Sequence, residues 1–164
     1  MTTNPERAIV FEVEVAAPRE AVWRAWTTEA GVRSFFAPGA HLDVRPGGAY
    51  EIFFMPEGPP GMRGADGMLV LAVQAPAMLS FTWNAPPSLP EARAQMTHVV
   101  VRLYALADGR TRVRLVHSGW GEGGQWDEAF AYFTRAWSKM VLPRLRHRFA
   151  VGAVDWDAPP PVLD

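Results

Sequence analysis

Apolar residues recur at two periods along this chain, and the change of period divides it into elements. Between residues 125 and 149, Trp126, Phe130, Phe133, Trp137, Val141 and Leu145 fall at steps of three and four, one stripe of a 3.6-residue helix. Four of the six are aromatic. Removing four such rings from water is worth roughly 6–12 kcal/mol, so this helix is expected to be docked on a partner. Upstream the period is two. Ile9, Phe11, Val13 and Val15 alternate with Glu12 and Glu14, as in a half-buried strand. Val99, Val101, Leu103 and Ala105 repeat the pattern, and Val113, Leu115 and His117 mirror it beyond Asp108-Gly109, a pair suited to the positive φ of a hairpin turn. Further strands are predicted around residues 41–44, 49–55, 67–74 and 79–83.

Two short helices follow the first strand. Pro18 opens one, with Val22, Ala25 and Trp26 on its inner face; Thr28 caps the next, which Pro38 and Gly39 stop near Phe36. The order is therefore strand, two helices, a run of strands, one long helix. It predicts an α+β fold in which a curved antiparallel sheet wraps around the C-terminal helix and leaves space for a ligand between them.

Prolines and glycines punctuate the rest. Residues 56–66 hold three of each and are expected to form a loop, either a flap over a cavity mouth or a plain connection. A second Pro-rich loop spans residues 84–94. Pro143 lies inside the long helix, where a missing N–H predicts a kink. The tail, residues 151–164, is expected to lie loose unless Trp156 docks on the body or on a second copy.

Composition narrows the classes. At 164 residues the chain suits one domain, residues 1–164, with its core in 8–150. Sixteen basic and seventeen acidic side chains are spread evenly, so neither nucleic acid nor an anionic membrane is an expected partner. With no cysteine, disulfides and thiolate chemistry are excluded. The polar N-terminal stretch Met1–Arg7 lacks an apolar signal core, and no apolar run is long enough to span a bilayer, which makes a cytoplasmic location the expectation.

Val22-Trp23-Arg24-Ala25-Trp26-Thr27, Phe35-Phe36-Ala37-Pro38, Arg45-Pro46-Gly47-Gly48, Phe81-Thr82-Trp83 and His117-Ser118-Gly119-Trp120, followed by the aromatic final helix, give the chain a recognisable sequence of motifs. In this it resembles the START-like (SRPBCC) superfamily, and more narrowly the branch of homologues of the activator of the heat-shock-protein-90 ATPase. The resemblance covers residues 8–150. It implies a helix-grip fold with an apolar cavity between sheet and helix, and constrains shape more than chemistry.

The candidate ligand-binding residues are Tyr50, Phe54, Met68, Trp83, His117, Trp120, Trp126, Phe130, Phe133 and Trp137. Each is either a pocket wall or ordinary core, and their number together favours a pocket for a small hydrophobic or aromatic molecule. Strand parity turns His117 inward, where it is either an acid–base or ligand-binding group or a core histidine satisfied by a carbonyl or an indole. Glu51 is either a solvated strand residue or a buried acid. With these two as acid and base, an enzyme of the cyclase or aromatase kind is the alternative; a chaperone-ATPase regulator is a third reading. His41, His98 and His147 lie on separate elements, so no metal site is expected. No dinucleotide fingerprint, phosphate loop or nucleophile elbow is present, and no cofactor is expected. A homodimer is compatible with the chain, although no pattern calls for one.

Overall fold

Alternation and capping place the elements. In the computed structural model, which describes residues 6–164, the chain runs β1 (Ile9–Val15), α1 (Arg19–Thr27), α2 (Glu29–Arg33), β2 (Gly39–Leu42), β3 (Tyr50–Phe53), β4 (Val70–Gln74), β5 (Met78–Trp83), α3 (Pro90–Arg93), β6 (Thr97–Ala105), β7 (Thr111–Ser118), α4 (Gln125–Ala136) and α5 (Leu142–Ala150). A π-helical segment, Trp137–Val141, joins the last two. The first five positions of the polar N-terminal stretch, read above as lacking an export signal, lie outside the described residues.

Five strands form one antiparallel sheet in the order β1-β7-β6-β5-β4. The turn at Asp108 and Gly109, with Gly109 at φ 85°, sets the β6–β7 register and puts Val99 opposite His117. Inward positions are sealed: Val113, Leu115 and His117 are all buried, while Arg112 and Arg114 face solvent and meet Glu14 and Glu12 of β1. β2 and β3 form a separate hairpin, continued onto β4 by the Ala49–Leu69 bridge and by Tyr50 N–H donating to the Met68 carbonyl at 2.8 Å. The antiparallel sheet thus curves around the terminal helix. Thr28 caps α2, its hydroxyl accepting from Gly31 N–H at 3.0 Å. Trp26, Phe35, Phe36, Phe81, Trp83 and Trp137 pack ring against ring inside the curve, most pairs edge-to-face or tilted as the ring quadrupoles favour.

The long helix departs from the expected single rod. Its irregularity precedes Pro143 instead of sitting on it: Leu142 N–H donates back five residues to the Trp137 carbonyl, which widens the turn. Pro143 has no N–H for the carbonyl of Lys139, four residues earlier. Leu163 N–H of the tail supplies the missing donor at 3.0 Å. The tail is accordingly docked. Val154 is buried, with its N–H on the Ser34 carbonyl at 2.8 Å; the Trp156 indole N–H donates to the Arg33 carbonyl at 2.6 Å, and Arg144 lies over the Trp156 ring. The expected loose tail is thus not found; the exception, Trp156 docking on the body, is. The second Pro-rich loop also carries order, in the one-turn helix α3. Among the described residues no helix is long and apolar enough to cross a membrane.

Candidate functional site

A pocket of about 290 Å³ opens beside the helix, between it and the two proline-rich loops, and reaches the sheet at Trp83; the concave face of the sheet itself, Phe81, Val99, Val101 and Leu115, is packed core instead of cavity wall. Its inner wall is Phe36 in the turn after α2, Trp83 at the end of β5, and Phe133 and Trp137, all four buried. Ala136, Met140 and Val141 form the helical side, so the widened π turn itself faces the cavity. Phe54, Met55, Met62 and Tyr132 are exposed and ring the mouth. Besides the Tyr132 hydroxyl at the mouth and the Trp83 indole N–H, the polar side chains on the wall are Asn84 and two arginines, Arg63 and Arg93.

One carboxylate organises the rim. Asp66 accepts from the backbone N–H groups of Gly61, Arg63 and Gly64 at 3.0, 2.8 and 2.9 Å, and from Arg63 Nε at 3.1 Å. Partial burial pushes its carboxyl up, but these bonds together outweigh burial and hold it below the ordinary value. Arg93 then ties this flap to the second loop, donating to the carbonyls of Gly61, Gly64 and Ala85 at 2.6, 2.9 and 2.7 Å. Gln125, at the start of α4, accepts from Glu91 and Ala92 N–H and so caps α3. The two proline-rich loops and the helix are thereby latched together around the opening. Gly64 sits where the flap crosses β3; a Cβ there would meet the Ile52 carbonyl at 2.5 Å.

His117 stands behind the pocket wall, fully buried. Trp137 Nε1–H donates to its Nδ1 at 3.0 Å, which fixes the neutral tautomer with its proton on Nε2. Nε2–H is left to donate to Thr97 Oγ1 at 2.7 Å, and that hydroxyl donates to the Trp83 carbonyl at 3.0 Å. Burial, with a smaller contribution from the charge of His98, pushes the imidazole down to about 3. Both ring nitrogens are therefore spent on protein partners, and the ring does not line the cavity. This is the satisfied core histidine of the two alternatives. It positions Trp137 and the backbone of Trp83, two elements of the wall, and leaves no free nitrogen for the acid–base role that the cyclase-like alternative requires.

Of the ten candidate binding residues, Phe54, Trp83, Phe133 and Trp137 line the pocket. The other six are placed elsewhere. Tyr50 stacks on Phe81 at 4.3 Å and donates its hydroxyl to the Trp26 carbonyl at 2.8 Å; burial pushes its phenol up. Met68 is buried beneath Thr82, whose hydroxyl points at its sulfur. Trp120, Trp126 and Phe130 form a second aromatic group with His117, closed by Arg7 over the Phe130 ring. Glu51 bonds His41 Nδ1 at 2.9 Å and Gly67 N–H at 2.8 Å, away from the pocket, and the bond raises the His41 imidazole. His117 and Glu51 do not meet across a cavity. Among the described residues no group of three potential metal ligands converges.

Sequence reasoning passed over Phe36, Met140, Val141, Tyr132 and the loop residues Met62, Asn84 and Arg93. The two proline-rich loops were the available signal. Residues at their edges, and Tyr132, Ala136 and Met140 on the flank of the stripe, each one position before a stripe residue, complete the wall.

An antiparallel sheet gripping a terminal helix, with a pocket opening beside the helix, defines the helix-grip class of protein. The chain belongs to the family described as Activator of Hsp90 ATPase homolog 1-like protein, whose model matches residues 16–150. Set against curated proteins, the sequence finds no match. Solved structures share the fold. A Mesorhizobium loti protein is 23% identical over 86% of this chain and 95% of its own, with a TM-score of 0.68. The Aha1 dimer from Colwellia psychrerythraea is 19% identical over 89% and 98%, at 0.67, and an HSP90 activator from Plasmodium falciparum 15% over 88% and 97%, at 0.61.

Proposed function

We propose that the protein is a binding module that takes a small hydrophobic or aromatic molecule into the pocket beside the C-terminal helix. The observation that carries this reading is the pocket itself: about 290 Å³, walled by Phe36, Trp83, Phe133 and Trp137, and rimmed by exposed Phe54, Met55, Met62 and Tyr132. Apolar walls of this size favour transfer of an apolar guest from water, and the thioethers adapt to its outline. The family's description names an activator of a chaperone ATPase. Exposed apolar side chains gathered around a cavity mouth support ligand entry better than they support a flat protein-docking face.

Titration with N-phenyl-1-naphthylamine, followed by probe fluorescence and by tryptophan quenching, tests the reading. Saturable binding to the folded protein is expected, reduced at least tenfold in Ala136→Phe, which places a ring in the pocket. Absence of saturable binding, or binding that Ala136→Phe leaves intact, overturns it.

A further inference from the structure

Resting on that binding reading, we infer that Asn84 is the specificity-determining residue of the pocket, selecting a flat two-ring molecule that carries a neutral hydrogen-bonding oxygen, a carbonyl or a phenolic hydroxyl. The size argument comes first. An apolar cavity of about 150 Å³ holds a benzene, so the 290 Å³ here has room for two fused or linked rings. Trp83 and Trp137, their rings 5.9 Å apart and tilted by 41°, supply aromatic faces for them.

The polar argument comes from what is left unpaired. Asn84 is only 7% exposed, lines the pocket, and among the described residues its carboxamide has no hydrogen-bond partner. Its polar atoms are also not among the sealed, unpartnered ones, which are Arg19 Nε and Trp26 Nε1. The carboxamide therefore opens onto the cavity it lines, where it presents two donors and an acceptor to a guest. The indole N–H of Trp83, on a residue 3% exposed, is in the same condition. Between these two side chains donors exceed acceptors, which favours an oxygen on the ligand.

A charged oxygen finds less. Arg93 donates to three loop carbonyls and stands 3.5 Å from Asp66; Arg63 gives its Nε to Asp66 and lays its guanidinium over the Phe53 ring. Both cations are committed to the flap, and Asp66 beside them offsets part of the attraction they would offer a ligand carboxylate. Burying an anion against partners already occupied costs more than burying a neutral hydroxyl.

The test is displacement of N-phenyl-1-naphthylamine by naphthalene, 2-naphthol and 2-naphthoate, using wild type, Asn84→Leu and Asn84→Ala. Circular dichroism melts confirm that the variants fold. Wild type is expected to prefer 2-naphthol to naphthalene by about tenfold, the worth of one hydrogen bond made in a buried site, and to bind 2-naphthoate more weakly than 2-naphthol. Both variants are expected to lose the preference while still binding naphthalene. Equal binding of naphthol and naphthalene by wild type, a preference that survives in both variants, or strongest binding of naphthoate overturns the assignment and leaves the binding module standing. Failure of every compound, the probe included, to bind wild type overturns the module as well.

Discussion

Replacing His117 by glutamine isolates the energetic role of the buried imidazole. In the folded protein the ring is neutral and its pKa is pushed down from 6.5 to about 3, chiefly by burial. An unfolded chain takes up a proton on this residue below its ordinary value. The stabilising contribution is therefore complete above pH 6.5, falls as the pH drops, and stops falling near the folded value. Each pH unit in that window is worth about 1.4 kcal/mol, so between pH 7 and pH 5 the protein loses about 2 kcal/mol through this side chain alone. Glutamine does not titrate, although it leaves Trp137 N–H or Thr97 imperfectly paired, at about 1–3 kcal/mol at pH 7. Both proteins share every other ionisable group, so the difference between them isolates this side chain. Urea unfolding of wild type and His117→Gln, followed by tryptophan fluorescence at pH 7, 6 and 5, should show the stability gap shrinking by about 2 kcal/mol as the pH falls. A gap that stays constant to within about 0.5 kcal/mol would refute the assignment of a buried, neutral imidazole.

Two further outcomes follow from the rim and the tail. Arg93→Ala removes the donor shared by the Gly61, Gly64 and Ala85 carbonyls, worth about 2 kcal/mol of local stability, so amide exchange in residues 56–66 should quicken on the order of 30-fold while the sheet keeps its protection. Unchanged exchange there would show that the flap holds without the latch. Trp156→Ala removes the indole N–H bond to the Arg33 carbonyl and the face under Arg144; about 1–2 kcal/mol of unfolding free energy should be lost in urea titration, against no measurable change if the tail were an idle appendage.

Local pattern carried the architecture because most elements announce themselves within a few residues. Alternation in β1, the Asp108-Gly109 turn, the Thr28 cap and the aromatic stripe of the last helix each depend on neighbours in sequence. The site depends on residues that meet only after folding. Parity turned His117 inward, but whether it was free depended on Thr97 and Trp137, each twenty positions away. Tyr50 and Met68 point inward as their strand faces dictate, yet they fill the core beneath Trp26 and Thr82 instead of the pocket. The pocket is completed by Asn84, Arg93 and Met62, loop residues without a period, and the first loop is held by Asp66, whose carboxylate gathers amides that no spacing rule connects. Pro143 signalled a break in the helix; the position of the break was set by the turn that could widen and by the tail that could patch it.

That patch gives the last residues influence over a cavity they never touch. Leu163 closes the carbonyl that Pro143 leaves open on Lys139, and the next two residues, Met140 and Val141, are pocket wall. The stiffness of one side of the chamber is thus set more than twenty positions downstream. Leu163→Pro would remove that donor while every residue lining the chamber stays the same.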